Sequence, residues 1–208
     1  MPPSTRYRIP LPTEKTRLTL EVSNSRFITT VNCVASVTAA RDFLAAIRAE
    51  MPDANHHVYA YRVGYGNSVI EGMSDDGEPS GTAGPPVLAV LRGTDIGDVI
   101  VVVTRYFGGT KLGTGGLVRA YSEAARLGLS SLKTEEKIEK KLLGIETPYS
   151  YYEQLKRLIV QHNGTIDDET FAADITILAT FPVDDIAAFS HELAELTAGR
   201  VQPVELDD

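Results

Sequence analysis

Two loops concentrate the residue types able to do chemistry. Residues 74–84 read SDDGEPSGTAG and set Asp75, Asp76 and Glu78 among glycines and a proline. Residues 105–119 read RYFGGTKLGTGGLVR and carry Arg105, Lys111 and Arg119, with no acidic residue from 104 to 119. The second loop follows an apolar strand and runs into a helix. Glycines in that position leave backbone N–H groups pointing outward, and a helix N-terminus favours negative charge. Arg105, Gly108, Gly109, Thr110, Lys111, Gly113, Thr114, Gly115, Gly116 and Arg119 therefore form a candidate phosphate- or RNA-binding segment. It is not a P-loop: Gly108 and Gly113 have the right gap, but Thr114 stands where the lysine belongs. It also lacks the G-x-G-x-x-G spacing of a dinucleotide site.

The acidic loop admits three roles. Asp75 and Asp76 can hold a cation such as Mg²⁺ through carboxylate oxygens. They can act as an acid/base pair, which requires environments that split their pKa values. Or they can cap the following helix and bond turn N–H groups. The two loops carry +3 and −3, so Arg105 or Lys111 can also neutralise Asp75, Asp76 and Glu78 directly. His56 and His57 point to opposite faces of a strand, so one of them faces the acidic loop and fixes it through a carbonyl or carboxylate. Arg26 opens a strand as either a solvated edge charge or an anion contact.

Alternating residues from Arg17 predict a hairpin over 17–34, with Ser23-Asn24-Ser25 at its turn. Thr38 is the expected N-cap of a helix that ends at Met51-Pro52. A strand over 57–63, a turn at Gly64–Asn67 and a short strand at Ser68–Glu71 follow. Residues 83–92 read as a helix with Pro85 and Pro86 in its first turn. Asp98–Arg105 reads as a strand buried on both faces, because Val99 to Val103 are five successive β-branched residues. Leu117, Val118, Tyr121, Ala124 and Ala125 mark the helix after the glycine loop, and Tyr106, Phe107 and Tyr121 offer a stacking surface beside the charges. Beyond 134 the pattern is β-α-β-β-α-β: strand 137–147, helix 149–162, strands 165–171 and 173–181, a helix from Asp184 or Asp185, and strand 200–206. That is the ferredoxin-like order.

The 208 residues suit one large or two small domains. The fold class is α+β in two domains, 17–132 and 134–208, after a loose leader at 1–16 that holds four prolines. One cysteine, Cys33, excludes an internal disulfide and sits in an apolar alternation as a core residue. No apolar run approaches the roughly 20 residues that span a bilayer. No export signal core is evident, so the expected compartment is the cytoplasm. The net charge of −8 is uneven: 14 Lys/Arg and 12 Asp/Glu in 1–133, a net of +2, against 6 and 16 in 134–208, a net of −10. A polyanion is repelled by the second part on average, so any nucleic-acid face belongs to the first.

SDDGEPSGTAG followed by VVVTRYFGGTKLGTGGLVRAY resembles the signature of the Impact family, whose bacterial members include the YigZ-type proteins. Ser25-Arg26-Phe27-Ile28 and Ala54-Asn55-His56-His57 add to the likeness, which covers about residues 17–130. The resemblance implies a first domain like a small-subunit ribosomal protein and a late domain of the translocating elongation factor. It implies a second domain like that factor's ferredoxin-like end. Together with the anion loop it implies a non-enzymatic, translation-associated regulator whose partner is RNA or the ribosome; the residues themselves make Arg26, His56, His57 and Glu78 the expected supports of the glycine loop, and no cofactor is expected unless Mg²⁺ is held by the acidic loop. Two other classes stay open: a Mg²⁺-dependent enzyme acting on a phosphorylated or nucleotide substrate, and a protein-binding module whose acidic second domain meets a basic partner.

Overall fold

The computed structural model describes residues 6–12, 15–66 and 69–206. It divides into two compact units between Lys137 and Ile138, a few residues beyond the expected division at 133. The first unit is organised around strand β6 (Val99–Tyr106). Its β-branched run pairs antiparallel with β3 (Ser25–Cys33) on one side and β4 (His56–Val63) on the other. Strand β2 (Thr16–Val22) completes one edge as a hairpin with β3, and β5 (Ile70–Ser74) completes the other, giving the order β2-β3-β6-β4-β5. Successive β6 side chains serve opposite layers, as strand geometry requires. Val99, Val101 and Val103 enter the core beneath helices α2 (Gly84–Arg92) and α3 (Gly113–Ser130). Ile100 and Val102 enter a second core beneath helix α1 (Val37–Glu50). Each such side chain, fully buried, contributes about 1.5–3 kcal/mol, so this strand anchors both layers.

Several boundaries differ from expectation; the expected strand 137–147 is broken between Ile138 and Lys140, and the expected strand 200–206 shortens to Val204–Leu206. Helix α1 is capped by Ser36, whose Oγ accepts the Ala39 N–H at 3.0 Å, and not by Thr38. The Val34 N–H bonds the Asp98 carbonyl at 2.8 Å and holds the chain to the sheet. Ser36 is the first hydroxyl after that point, and starting there turns Ala40, Leu44 and Ile47 inward. Strand β5 runs to Ser74 because Gly72 lets the Tyr61 ring lie over it; a Cβ there would stand 2.3 Å from that ring. Asn67 and Ser68, expected in the preceding turn and strand, lie outside the described residues. Helix α3 begins at Gly113, so Gly113–Gly116 form its first turn and are not loop. Part of the expected loose leader is strand β1 (Arg6–Pro10), paired with β7 (Thr134–Ile138). Five residues are too few to show a periodicity, and what fixes them is distant: Tyr7 is buried and its Oη donates to Asp98 at 3.1 Å.

The second unit contains β8 (Lys140–Thr147), α4 (Tyr152–Gln161), β9 (Thr165–Phe171), β10 (Ile175–Pro182), α5 (Val183–Thr197) and β11 (Val204–Leu206). Its sheet order is β11-β8-β10-β9, antiparallel throughout, which is the ferredoxin-like arrangement. Beyond the end of helix α4 the chain turns at Asn163, which takes φ 56°, with the Gly164 N–H returning to the Ile159 carbonyl at 2.8 Å. Gly164 also leaves room for Phe181, whose ring would lie 2.5 Å from a Cβ there. Among the described residues no helix is long and apolar enough to cross a membrane.

Asp98 ties the first unit together just before β6. It is 3% exposed, and its carboxylate accepts from Tyr7 Oη, from Lys137 Nζ and from the Gly64 N–H at 2.7 Å. Its φ of 47° lies in the left-handed region, which aspartate tolerates better than alanine. Asp98→Ala is expected to lower unfolding free energy by about 3 kcal/mol, since buried donors lose their acceptor and the backbone is strained. Asp98→Asn, which tolerates the same backbone and keeps one acceptor, should retain part of that. Urea unfolding of the three proteins measures the order.

Candidate functional site

The acidic loop is committed largely to its own backbone. Asp75 Oδ1 accepts the Ala83 and Gly84 N–H groups at 2.9 and 2.8 Å, and Oδ2 accepts that of Gly81 at 2.9 Å. It thereby caps α2, whose own N-cap residue, Ala83, has no side chain able to do so. Gly84 is required for this approach, since a Cβ would stand 2.7 Å from the Ser74 carbonyl carbon. Asp76, at φ 46°, pairs with Arg48 Nη2 at 2.5 Å and accepts the His57 N–H at 2.6 Å. Of the three roles open to these carboxylates, the capping role describes the geometry of Asp75. Among the described residues no three His, Cys, Asp or Glu side chains gather as a metal site would need.

Glu78 goes inward. Its Oε1 accepts Arg105 Nη1 at 2.6 Å and Tyr121 Oη at 2.7 Å, and both side chains of the ion pair are nearly solvent-free, at 4% and 6% exposure. Arg105 Nη2 reaches Ser25 Oγ at 3.4 Å, and the same hydroxyl accepts the Gly108 N–H at 3.1 Å. His56 Nδ1 contacts the Asp76 carbonyl at 2.9 Å while its Nε2 lies 3.8 Å from Glu78 Oε2. His56 is therefore the histidine that fixes the acidic loop. His57 faces the other side of the sheet, with Nδ1 3.1 Å from Thr104 Oγ1, and burial pushes its pKa down. Burial, then the bond to Glu78, raises the Tyr121 phenol far above its ordinary range, so it remains a donor. Tyr121 is fully buried and offers no stacking face, contrary to its expected role. Tyr106 turns the other way, its Oη on Asp53 at 3.0 Å and the Arg26 guanidinium over its ring at 4.7 Å. Arg26 belongs to that exposed stack.

The glycine segment starts from a brace: Asn55 Oδ1 accepts the Phe107 N–H at 2.7 Å. Gly108 then packs against the hairpin turn, where a Cβ would fall 2.0 Å from the Asn24 carbonyl. Its glycine is a packing requirement and its N–H is spent on Ser25, so Gly108 is not an anion ligand. Gly109 and Gly113 take φ of 85° and 70°, in the left-handed region. A Cβ at Gly109, Gly113 or Gly115 would meet nothing within 4 Å. Helix α3 opens with no side-chain cap and no acidic residue in its first turn, so its first N–H groups lack intrahelical acceptors. Gly109, Thr110, Lys111, Thr114 and Arg119 are exposed, and Lys111 makes no ion pair among the described residues.

Between the two loops lies a cavity of about 380 Å³. Glu78 and Arg105 line it together with Pro79, Leu112 and Leu117, and Phe107 stands beside it, 45% exposed. Arg105, Glu78 and His56 thus come together, with Lys111 and Gly113 at the cavity's edge. Ser25 and Asn55 complete the arrangement and were not separable as site residues by spacing, and Tyr121 joins it as a buried donor in place of its expected stacking role. A larger groove of about 690 Å³ runs between Val22 of β2 and Val118 of α3, but no buried polar group lines it to orient a ligand.

Two α+β units, the first carrying a neutralised polar pocket behind an open glycine turn, define the kind of protein by fold and site. The Impact N-terminal domain matches residues 23–129, and a domain of unknown function, DUF1949, matches residues 145–200. The chain belongs to the Impact family. The IMPACT family member YigZ of Escherichia coli K12 is 37% identical over 189 residues, spanning 90% of this chain and 93% of its own. Protein IMPACT-B of Xenopus tropicalis is 41% identical over 66 residues, 31% of this chain and 20% of that protein. A crystal structure of a hypothetical protein, 36% identical, superposes with a TM-score of 0.68 and covers 98% of both chains.

Two outcomes are expected. Burial raises the Asp75 pKa, but the bonds from Gly81, Gly84 and Ala83 outweigh it and the net shift is downward. A depressed folded pKa means the contribution is present above the unfolded value near 4. It is lost as pH falls through the folded value. Asp75→Asn should therefore destabilise at pH 7 and show a shallower loss of stability below about pH 4, read by urea unfolding across pH. Glu78→Ala leaves Arg105 buried without its partner and should cost about 3–5 kcal/mol, whereas the double change Glu78→Leu with Arg105→Met should cost much less. Denaturation midpoints of the two variants decide it.

Proposed function

We propose that this protein is a translation-associated regulator without catalysis of its own, which binds RNA or ribonucleoprotein through the glycine turn ahead of α3. The family supports the translation setting, because the resemblance to it implies one. The observation that carries the binding mode is the uncapped first turn of α3 combined with open glycines and exposed cations. Thr114, Gly115 and Gly116 lie in that turn, Gly109, Gly113 and Gly115 leave space around the backbone, and Lys111 and Arg119 stand beside it. Backbone donors and a helix dipole favour a phosphate there. Arg105 takes no part in phosphate binding, since Glu78 neutralises it at 2.6 Å.

The charge asymmetry fits this placement. Residues 1–133, which carry the turn, have a net of +2, and the remainder has −10. Phosphate contacts should therefore be few, and the salt dependence of binding correspondingly shallow.

Anisotropy of a labelled single-stranded RNA, measured across salt concentrations, tests the reading. Lys111→Ala with Arg119→Ala should lower affinity and flatten the log–log salt slope by about 1.4 for two lost phosphate contacts. Gly115→Ala adds a methyl group in open space and favours the helix by up to about 1 kcal/mol. It should hold or raise the melting temperature while weakening RNA binding. Parental affinity in both variants would refute the turn as the binding site.

A further inference from the structure

The cavity behind the turn is unsuited to the phosphate that the turn itself favours. Its floor is the Glu78–Arg105 ion pair, so it carries no net charge, and the Glu78 carboxylate repels a second anion. One polar position on that floor is nevertheless unspent. Glu78 Oε2 has only His56 Nε2 near it, at 3.8 Å, which is beyond hydrogen-bonding distance. Arg105 Nε also has no partner among the described residues, but it is sealed from solvent and is not presented to the cavity. One open acceptor thus lies in an apolar-walled space. Pro79, Leu112 and Leu117 supply the walls, and Phe107 supplies an exposed aromatic ring beside the cavity, 5.5 Å from the Arg105 guanidinium. At about 380 Å³ the cavity falls in the range of small-ligand sites.

We propose that this cavity receives one unpaired nucleobase of the bound RNA strand, stacked on Phe107, with a donor of its Watson–Crick edge toward Glu78 Oε2. The proposal rests on the RNA reading above and adds what is recognised. Each of the four bases presents an N–H donor on that edge, so the pocket selects for an unpaired base and discriminates little among the four. Single-stranded RNA is recognised in this manner, by aromatic or guanidinium stacking and exposed base edges. The division of labour follows from charge: the backbone phosphate lies outside, at Gly109 to Gly115 and Lys111, and the base lies inside on the neutral floor.

Isothermal titration with AMP and with ribose 5-phosphate separates base from phosphate recognition. AMP should bind about tenfold or more tightly than ribose 5-phosphate. Phe107→Ala, at a 45% exposed position that leaves the core intact, should reduce AMP to the level of ribose 5-phosphate. Lys111→Ala should weaken both ligands in proportion. An eight-residue oligoadenylate should bind more tightly than AMP; if it does not, the assignment to an RNA strand falls. Equal binding of AMP and ribose 5-phosphate, or no detectable binding of either, overturns the base pocket. Salt-dependent binding of the oligoadenylate alongside that result would leave the phosphate-binding turn standing, so the two readings fail separately.

Discussion

The first unit depends on one buried ion pair, Glu78 with Arg105. Removing two charges from water costs several kcal/mol per ion, and only close geometry with further hydrogen bonds repays it. Here the further bonds come from separate elements. Tyr121 of α3 donates to the carboxylate, Ser25 of β3 meets the guanidinium, and His56 of β4 holds the acidic loop that carries Glu78. The guanidinium also lies 5.3 Å from the Phe27 ring centre, over an aromatic face that favours a cation. The central strand, the hairpin, α3 and the acidic loop thus share one polar knot. A displacement of any of them would leave a charge or a donor unmet in the interior.

That knot decides what the neighbouring loops can do. Counted as free charges, the two loops offer three cations and three anions. In the folded chain Asp75 is spent on backbone N–H groups, Asp76 on Arg48 and the His57 N–H, and Glu78 on Arg105 and Tyr121. The cations left facing solvent are Lys111 and Arg119, both beside the open turn. Positive potential therefore lies at the helix end and not at the strand end. The composition of the loops is the same in either account; only the pairing differs.

Much of the frame was legible in the sequence because its signals are local. Five successive β-branched residues are enough to specify β6, Pro85 and Pro86 mark the start of α2, and Asn163-Gly164 marks the end of α4. The order of elements after 134 specifies the ferredoxin-like arrangement. What was not legible depends on long separations. Arg105 and Glu78 are 27 positions apart, Tyr121 and Glu78 are 43, and Ser25 and Arg105 are 80. No periodicity reports such contacts. The amphipathic pattern of α3 shows that Tyr121 can face inward, but only the position of Glu78 explains why a tyrosine is needed there. Strand β1 escaped notice for the same reason, since its hold comes from Asp98, 91 positions from Tyr7.

The glycines divide along the same line. Sequence density alone suggests one role, backbone brought close to a ligand. The structure separates two. Gly84 and Gly108 stand where a Cβ would overlap neighbouring backbone at 2.7 and 2.0 Å, so they are required by packing. Gly109, Gly113 and Gly115 face open space. Packing does not exclude a side chain at these three, and Gly115 lacks even the positive φ that constrains the other two. A glycine in a helical first turn costs stability relative to alanine without improving any contact within the chain. Such a residue suits the proposed approach of an anionic ligand to its backbone, for which the uncapped N–H groups beside it are donors.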